Sequence, residues 1–290
     1  MSISFTKMQS AGNDFVVVED NGIIKDYPAF ARFACDRHFG IGSDGVMVIT
    51  SATDADAGMR MYNPDGSEAE ACGNGLRCLV KYCFDKGIAR GKTISIATIA
   101  GTRQARIIES DITGTTIEAG MGKPSFDADS IPFDPGESRT EEVVGIKAYL
   151  NFNLIIDEYK LSLALVSMGN PHAVCFITQP VSGFPLHRIG PRVEHSAVFP
   201  RKTNFEVVRI INRNIVEARV WERGAGETLA CGSGACAIGV SAQLLGLVDN
   251  PVTVSLPGGK LEVNWNQPGE VQLKGKAVTV FHGELPNTTF

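Results

Sequence analysis

Apolar and polar positions follow two periods along this chain, and the switches between them divide it into elements. Short apolar runs bounded by Gly, Asn, Asp and Pro predict strands at Ile3–Met8, Phe15–Val18, Val46–Ile49, Met59–Tyr62, Ile94–Thr98, Gln104–Glu109 and Thr115–Glu118. Helical spacing of Phe30, Phe33 and Ala34 predicts a helix over Tyr27–His38. Leu76, Val80, Cys83 and Phe84 mark the apolar face of a second helix, which opens near Cys72 and runs to about Asp85. From Met121 to about Thr140 the chain turns rich in Asp, Pro and Gly, and a domain boundary is placed at the start of that stretch.

Beyond it the order recurs. Strands are expected at Leu161–Val166, Ala173–Ile177, Phe205–Ile210 and Ile215–Trp221, with a helical or irregular stretch between Pro185 and Phe199. A further helix opens near Cys231 and runs to about Leu247. Short strands follow at Val252–Leu256, Leu261–Trp265, Val271–Lys274 and Ala277–Phe281.

The recurrence holds in register. Ala71-Cys72-Gly73-Asn74-Gly75 and Ala230-Cys231-Gly232-Ser233-Gly234 lie 159 positions apart, and at that offset Arg60 faces Arg219 and Glu68 faces Glu227. Gly12-Asn13 pairs with Gly169-Asn170 at 157, and Asp44-Gly45-Val46 with Asn204-Phe205-Glu206 at 160. Three blocks in one order argue for two halves related by duplication.

Composition narrows the setting. A net charge of −5 without blocks of one sign gives no support to a nucleic-acid or anionic-membrane partner. No apolar signal region opens the chain, and the apolar run Cys236–Val248 is too short to cross a bilayer. Seven cysteines, an odd number, argue against a disulfide framework and for a reducing cytosol.

The chemistry lies in the two cysteine blocks. A cysteine followed by Gly-x-Gly and a helix sits where the first backbone N–H groups are unpaired and the helix dipole is positive. That field is expected to favour the thiolate and lower the thiol pKa. The same N–H groups hold an anion such as a carboxylate, and the glycines let it approach. Two such blocks in sister halves suggest two thiols aimed at one carbon from opposite faces. One removes a proton and the other delivers one, inverting a centre next to a carboxylate. The scheme obliges no cofactor; there is no P-loop and no His/Cys spacing for zinc.

These residues give the chain its resemblance. Gly12-Asn13-Asp14-Phe15, Asn63 to Glu68, Ala71 to Gly75 with Arg77-Cys78, Met168-Gly169-Asn170-Pro171-His172, and Glu222 through Cys236 resemble the diaminopimelate epimerase family over nearly the whole length. The resemblance implies interconversion of LL- and meso-2,6-diaminopimelate in lysine and peptidoglycan precursor biosynthesis. It implies Cys72 and Cys231 as the acid/base thiols, with His172 and Glu222 supporting proton transfer. Backbone at Gly73-Asn74 and Gly232-Ser233 would hold the reacting carboxylate. Asn13, Asn63, Asn170, Asn204, Glu222 and Arg223 would hold the rest of the substrate, Arg223 by clamping the distal carboxylate and Glu222 by taking an ammonium. Gly45 stands where some members carry a glutamine that reaches the substrate.

The implied fold is α+β. Two pseudo-symmetric halves, 1–120 with 277–290 returning to it and 121–276, each wrap a curved antiparallel sheet around a central helix, with the active site in the cleft between them. A cytosolic homodimer is implied as well. The competing readings are a proline- or hydroxyproline-type racemase, disfavoured by Glu222-Arg223, and a redox sensor in which Cys72 and Cys231 form a reversible disulfide. Cys35, Cys78, Cys83, Cys175 and Cys236 read as small buried hydrophobes.

Overall fold

A computed structural model describes residues 2–69, 73–99 and 101–286. The chain divides into two compact units, one running to Gly120 and resuming at Lys274, the other spanning Met121–Leu273.

The first unit begins with a hairpin, β1 (Ser2–Ser10) and β2 (Asn13–Glu19), closed by Ala11 and Gly12 in the left-handed region at φ 51° and 79°. Helix α1 (Tyr27–Cys35) starts where the Asp26 carboxylate accepts the Ala29 N–H at 2.9 Å. It ends before the expected His38. The Asp36 carboxylate accepts the His38 and Phe39 N–H groups at 2.7 and 2.8 Å, so the chain leaves the helix through a side-chain turn. Then come β3 (Gly45–Thr50), β4 (Ala57–Tyr62), a two-residue β5 (Glu68–Ala69), α2 (Gly73–Asp85), β6 (Thr93–Thr98), β7 (Gly101–Asp111) and β8 (Gly114–Gly120).

The second unit opens with β9 (Glu141–Val143), β10 (Ile146–Ala148) and β11 (Phe152–Ile156), which the sequence pattern did not announce. It continues with β12 (Tyr159–Ser167), β13 (Pro171–Ile177), α3 (Leu186–Glu194), β14 (Asn204–Asn212), β15 (Ile215–Glu222) and β16 (Gly226–Thr228). Helix α4 (Gly232–Leu244), β17 (Val252–Leu256) and β18 (Gly259–Trp265) follow. The stretch expected as two strands is one, β19 (Val271–Pro286), whose later residues pair with β1 in the first unit.

The sheets are mixed, which corrects the expectation of antiparallel sheets. β2 pairs parallel with β3, and β4 with β6; β13 pairs parallel with β14, and β15 with β17. The reason is connectivity: α1, α2, α3 and α4 each fall between the two members of one such pair, and parallel neighbours need a crossover of that kind. Register is the same in both units. Val46 pairs with Tyr62 and Tyr62 with Glu68; 159 positions on, Phe205 pairs with Trp221 and Trp221 with Glu227.

Each unit encloses its second helix. α2 contacts β1, β2, β3, β6, β7 and β8, and is buried from Asn74 to Cys83. α4 contacts β12, β13, β14, β17 and β18 and is apolar nearly all round, the composition of a helix without a solvent face. Separate clusters pack α1 against β2 and β3 (Phe30, Ala34, Val16, Val48) and α3 against β13 and β14 (Ile189, Val193, Ala173, Phe205). No helix among the described residues is long and apolar enough to cross a membrane.

Candidate active site

In the first unit, the β1–β2 turn delivers Asn13 to the start of α2. Asn13 donates to Asp44 Oδ2 at 2.7 Å, and Asn74 donates to Asn13 Oδ1 at 3.4 Å. Behind them lies Arg77, with no exposed surface; its Nε donates to Ser10 Oγ at 3.0 Å and its Nη2 to Asn74 Oδ1. Asn63 sits at the turn after β4, where it donates to Ser67 Oγ at 3.0 Å. Gly73 is the first residue of α2. Cys72 lies outside the described residues.

The second unit gathers the other predicted residues around the start of α4. Cys231 is the N-cap, extended at φ −118° and ψ 122°, and its sulfur accepts the Gly234 N–H at 3.4 Å. Ser233 Oγ lies 3.4 Å from the same sulfur, and Gly232 begins the helix. The thiol is 5% exposed. Burial pushes the Cys231 thiol well above the ordinary range, and the Glu222 carboxylate pushes the same way, with Glu206 adding to it against the Ser233 hydroxyl and the Gly234 N–H. That reverses the expectation from the helix dipole alone: loss of water and two carboxylates outweigh one helix end.

Glu222 ends β15, where Thr228 Oγ1 donates to its Oε1 at 2.5 Å. The turn from Glu222 to Gly226 is held at several points. Asn204 Oδ1 accepts the Arg223 N–H at 2.9 Å while Asn204 Nδ2 donates to Pro171 O at 2.8 Å. Glu194, 3% exposed, accepts the Gly224 N–H at 3.0 Å and the Trp221 indole N–H at 2.8 Å. Burial alone would raise the Glu194 carboxyl, yet these donors hold it below its usual value. Asn204 thus anchors the Arg223 backbone directly, and Arg223 Nη1 donates to Arg201 O at 3.3 Å.

Asn170 follows Gly169, in the left-handed region at φ 91°, as Asn13 follows Gly12. Its Oδ1 lies 3.0 Å from His172 Nε2, and His172 Nδ1 lies 2.7 Å from Glu206 Oε1. His172 and Glu206 are both without exposed surface. Burial raises the Glu206 carboxyl, opposed by His172.

Glu206 and Glu194 are absent from the residues singled out in the sequence. Glu206 is the one charged residue between Phe205 and Val208, in the middle of a buried strand, and that is the signal that marks it. The remaining cysteines, Cys35, Cys78, Cys83, Cys175 and Cys236, are buried. Burial pushes Cys175 up to about 11 and Cys83 to about 12, as inert core thiols require.

The family model described as diaminopimelate epimerase matches residues 5–126 and 164–280. Diaminopimelate epimerase of Acetivibrio thermocellus is 42% identical over 285 residues, covering 97% of this chain and 98% of its own. That of Methanococcus maripaludis is also 42% identical, over 98% of this chain and 99% of its own. Among solved structures, a phenazine biosynthesis protein of the PhzF family from Bacillus anthracis superposes with a TM-score of 0.70 at 16% identity, over 99% of both chains. A probable proline racemase from Agrobacterium radiobacter gives 0.67 at 14% identity, over 98% of this chain and 93% of its own. At such identities these two speak for the fold alone.

Proposed function

The chain belongs to the diaminopimelate epimerase family, and from that premise we propose how its residues perform the reaction. The protein is an isomerase that interconverts LL-2,6-diaminopimelate and meso-2,6-diaminopimelate. In this reading its two pseudo-symmetric halves, 1–120 with 277–290 and 121–276, face each other across a cleft, and each supplies one thiol. Cys231 rests as the neutral thiol, a reading supported by its burial beside Glu222 and Glu206. Cys72 is then the base that removes the Cα proton of the LL isomer, and Cys231 delivers a proton to the opposite face. In the reverse direction the roles exchange.

The carbanion-like transition state loads charge onto the substrate carboxylate. Backbone N–H groups at Gly73-Asn74 and Gly232-Ser233, at the starts of α2 and α4, are placed to carry that charge without reorganising solvent. At the distal centre Arg223 takes the carboxylate through two hydrogen bonds and Glu222 takes the ammonium, with Asn13, Asn63, Asn170 and Asn204 around the substrate. His172 and Glu222 support proton transfer. No cofactor enters the scheme, and activity is expected to survive exhaustive chelation. The enzyme is proposed to work in the reducing cytosol as a homodimer, which sedimentation at micromolar concentration tests.

The observation that carries this reading is the Cys231 thiol at the N-cap of α4, buried beside two carboxylates and a histidine, in a chain of this family. The deciding experiment starts from one stereoisomer in deuterated water. Label is expected in product first, with early recovered substrate unlabelled, because each thiol serves one face. Rapid labelling of recovered substrate points instead to a single exchanging base.

A further inference from the structure

We propose that Glu206 is a positioning residue for the reaction: it holds the His172 ring through Nδ1 and thereby fixes that ring's orientation for proton transfer. The proposal rests on the reading of His172 as a proton-transfer partner given above.

The geometry is specific. His172 Nδ1 faces Glu206 Oε1 at 2.7 Å, and His172 Nε2 faces Asn170 Oδ1 at 3.0 Å. With Glu206 ionised, two oxygens facing two ring nitrogens are satisfied together when each nitrogen carries a proton; with Glu206 protonated, its O–H donates to Nδ1, and in either case the ring is held at both ends. The second carboxyl oxygen of Glu206, Oε2, is buried with no hydrogen-bond partner among the described residues. A carboxyl left half-satisfied inside a core costs stability, so something other than stability accounts for its presence.

The sister half shows that the scaffold does not need it. Backbone pairing aligns Phe15–Gly45 with His172–Asn204, and Val46–Tyr62 with Phe205–Trp221. That register corrects the offset of 160 read from the sequence for this block to 159, with Gly45 answering to Asn204 and Val46 to Phe205, so Phe15 stands where His172 does and Met47 where Glu206 does. Both are fully buried and apolar. The same strands therefore close over a Phe and a Met in one unit and over a His and a Glu in the other.

Glu206 is also placed to act on the thiol's surroundings. A Cβ built on Gly234 would meet Glu206 Oε1 at 3.0 Å and Cys231 Sγ at 3.4 Å, so carboxylate and thiol flank one glycine. The titratable groups facing Glu206 among the described residues are His172 from β13, Glu222 from β15 and Cys231 at the start of α4. Of these only His172 can supply positive charge, so it is the one group able to offset a carboxylate at Glu206.

The test uses the full-length enzyme with 15N-labelled histidine and the variant Glu206→Gln, which keeps the shape and removes the charge. In the wild type the His172 Nδ1 resonance is expected to report a hydrogen bond to the Glu206 carboxyl; in E206Q that resonance is expected to shift. In turnover, E206Q is expected to lower kcat by about a hundredfold with KM within about twofold. Glu206→Asp, which keeps the charge, should recover part of the loss. In a His172→Gln background, E206Q should cost nothing further, because it acts through the ring. If E206Q does not fold, Glu206→Met, which copies Met47, takes its place. A His172 ring unmoved by the variant, or penalties that multiply in the double variant, overturns the inference while the two-thiol reading stands. Full turnover in His172→Gln overturns the role of His172 and the inference with it.

Discussion

Lay the helix that starts at Gly73 over the one that starts at Gly232, and the strand registers agree while the groups behind the helix starts do not. In the first unit the space behind α2 holds the buried Arg77, joined to Ser10 and Asn74. The corresponding position in α4 is Cys236, a buried cysteine, and the charge behind α4 comes from Glu206 and His172 on neighbouring strands. One helix start is backed by a cation and the other by carboxylates and an imidazole. Duplication supplied two similar frames. Their charges differ: a guanidinium lies behind one helix start, and carboxylates with an imidazole behind the other.

The largest expected effect tests whether both frames are needed. Cys72→Ala and Cys231→Ala should each lower epimerisation by at least about a thousandfold; full rate in either variant removes that residue from the reaction. Next, Arg77→Met should destabilise the protein by about 2–3 kcal/mol in urea melts, since it strips donors from the buried Ser10 and Asn74 oxygens. Cys236→Ala should cost less, as it removes one small buried group.

A third expectation concerns charge at Cys231. Glu222 holds the thiol in its protonated form, so Glu222→Gln should let it ionise at lower pH. Peptide-resolved alkylation of Cys231 near pH 8 should then speed up by about tenfold; an unchanged or slower rate contradicts the assigned sign. The smallest effect compares two matched ion pairs. Arg60 Nε lies 2.8 Å from Glu68, and Arg219 Nε 2.8 Å from Glu227, but the first arginine side chain is 47% exposed, against 17% for the second. Arg219 also donates to Val181 O and Phe184 O. Glu68→Gln should cost under about 0.5 kcal/mol and Glu227→Gln about 1 kcal/mol, read from urea midpoints.

Much of the frame was legible because duplication writes its register into the sequence. Arg60 with Glu68 and Arg219 with Glu227 stand at one offset because each pair closes the same short strand pairing, β4 with β5 and β15 with β16. The direction of pairing was less legible. A period of two reports a half-buried strand in either direction, and only the helices between β2 and β3 or β13 and β14 carry the parallel signal. β11 went unread because Phe152–Ile156 is short and follows the Asp- and Pro-rich stretch. Glu206 was hidden by its apolar neighbours. A strand pattern says that the site is buried, but the partner that makes a buried carboxylate tolerable, His172, lies 34 positions away.

The path of β19 has a consequence for how the molecule is made. Every strand of the second unit is encoded between Glu141 and Leu273, without interruption. β1 is flanked by β2 on one side and by residues 277–286 on the other, so one of its neighbours is encoded after the whole of the second unit. On a ribosome the second unit is therefore complete before β1 gains its second neighbour, and one edge of β1 stays open until residues 277–286 have emerged.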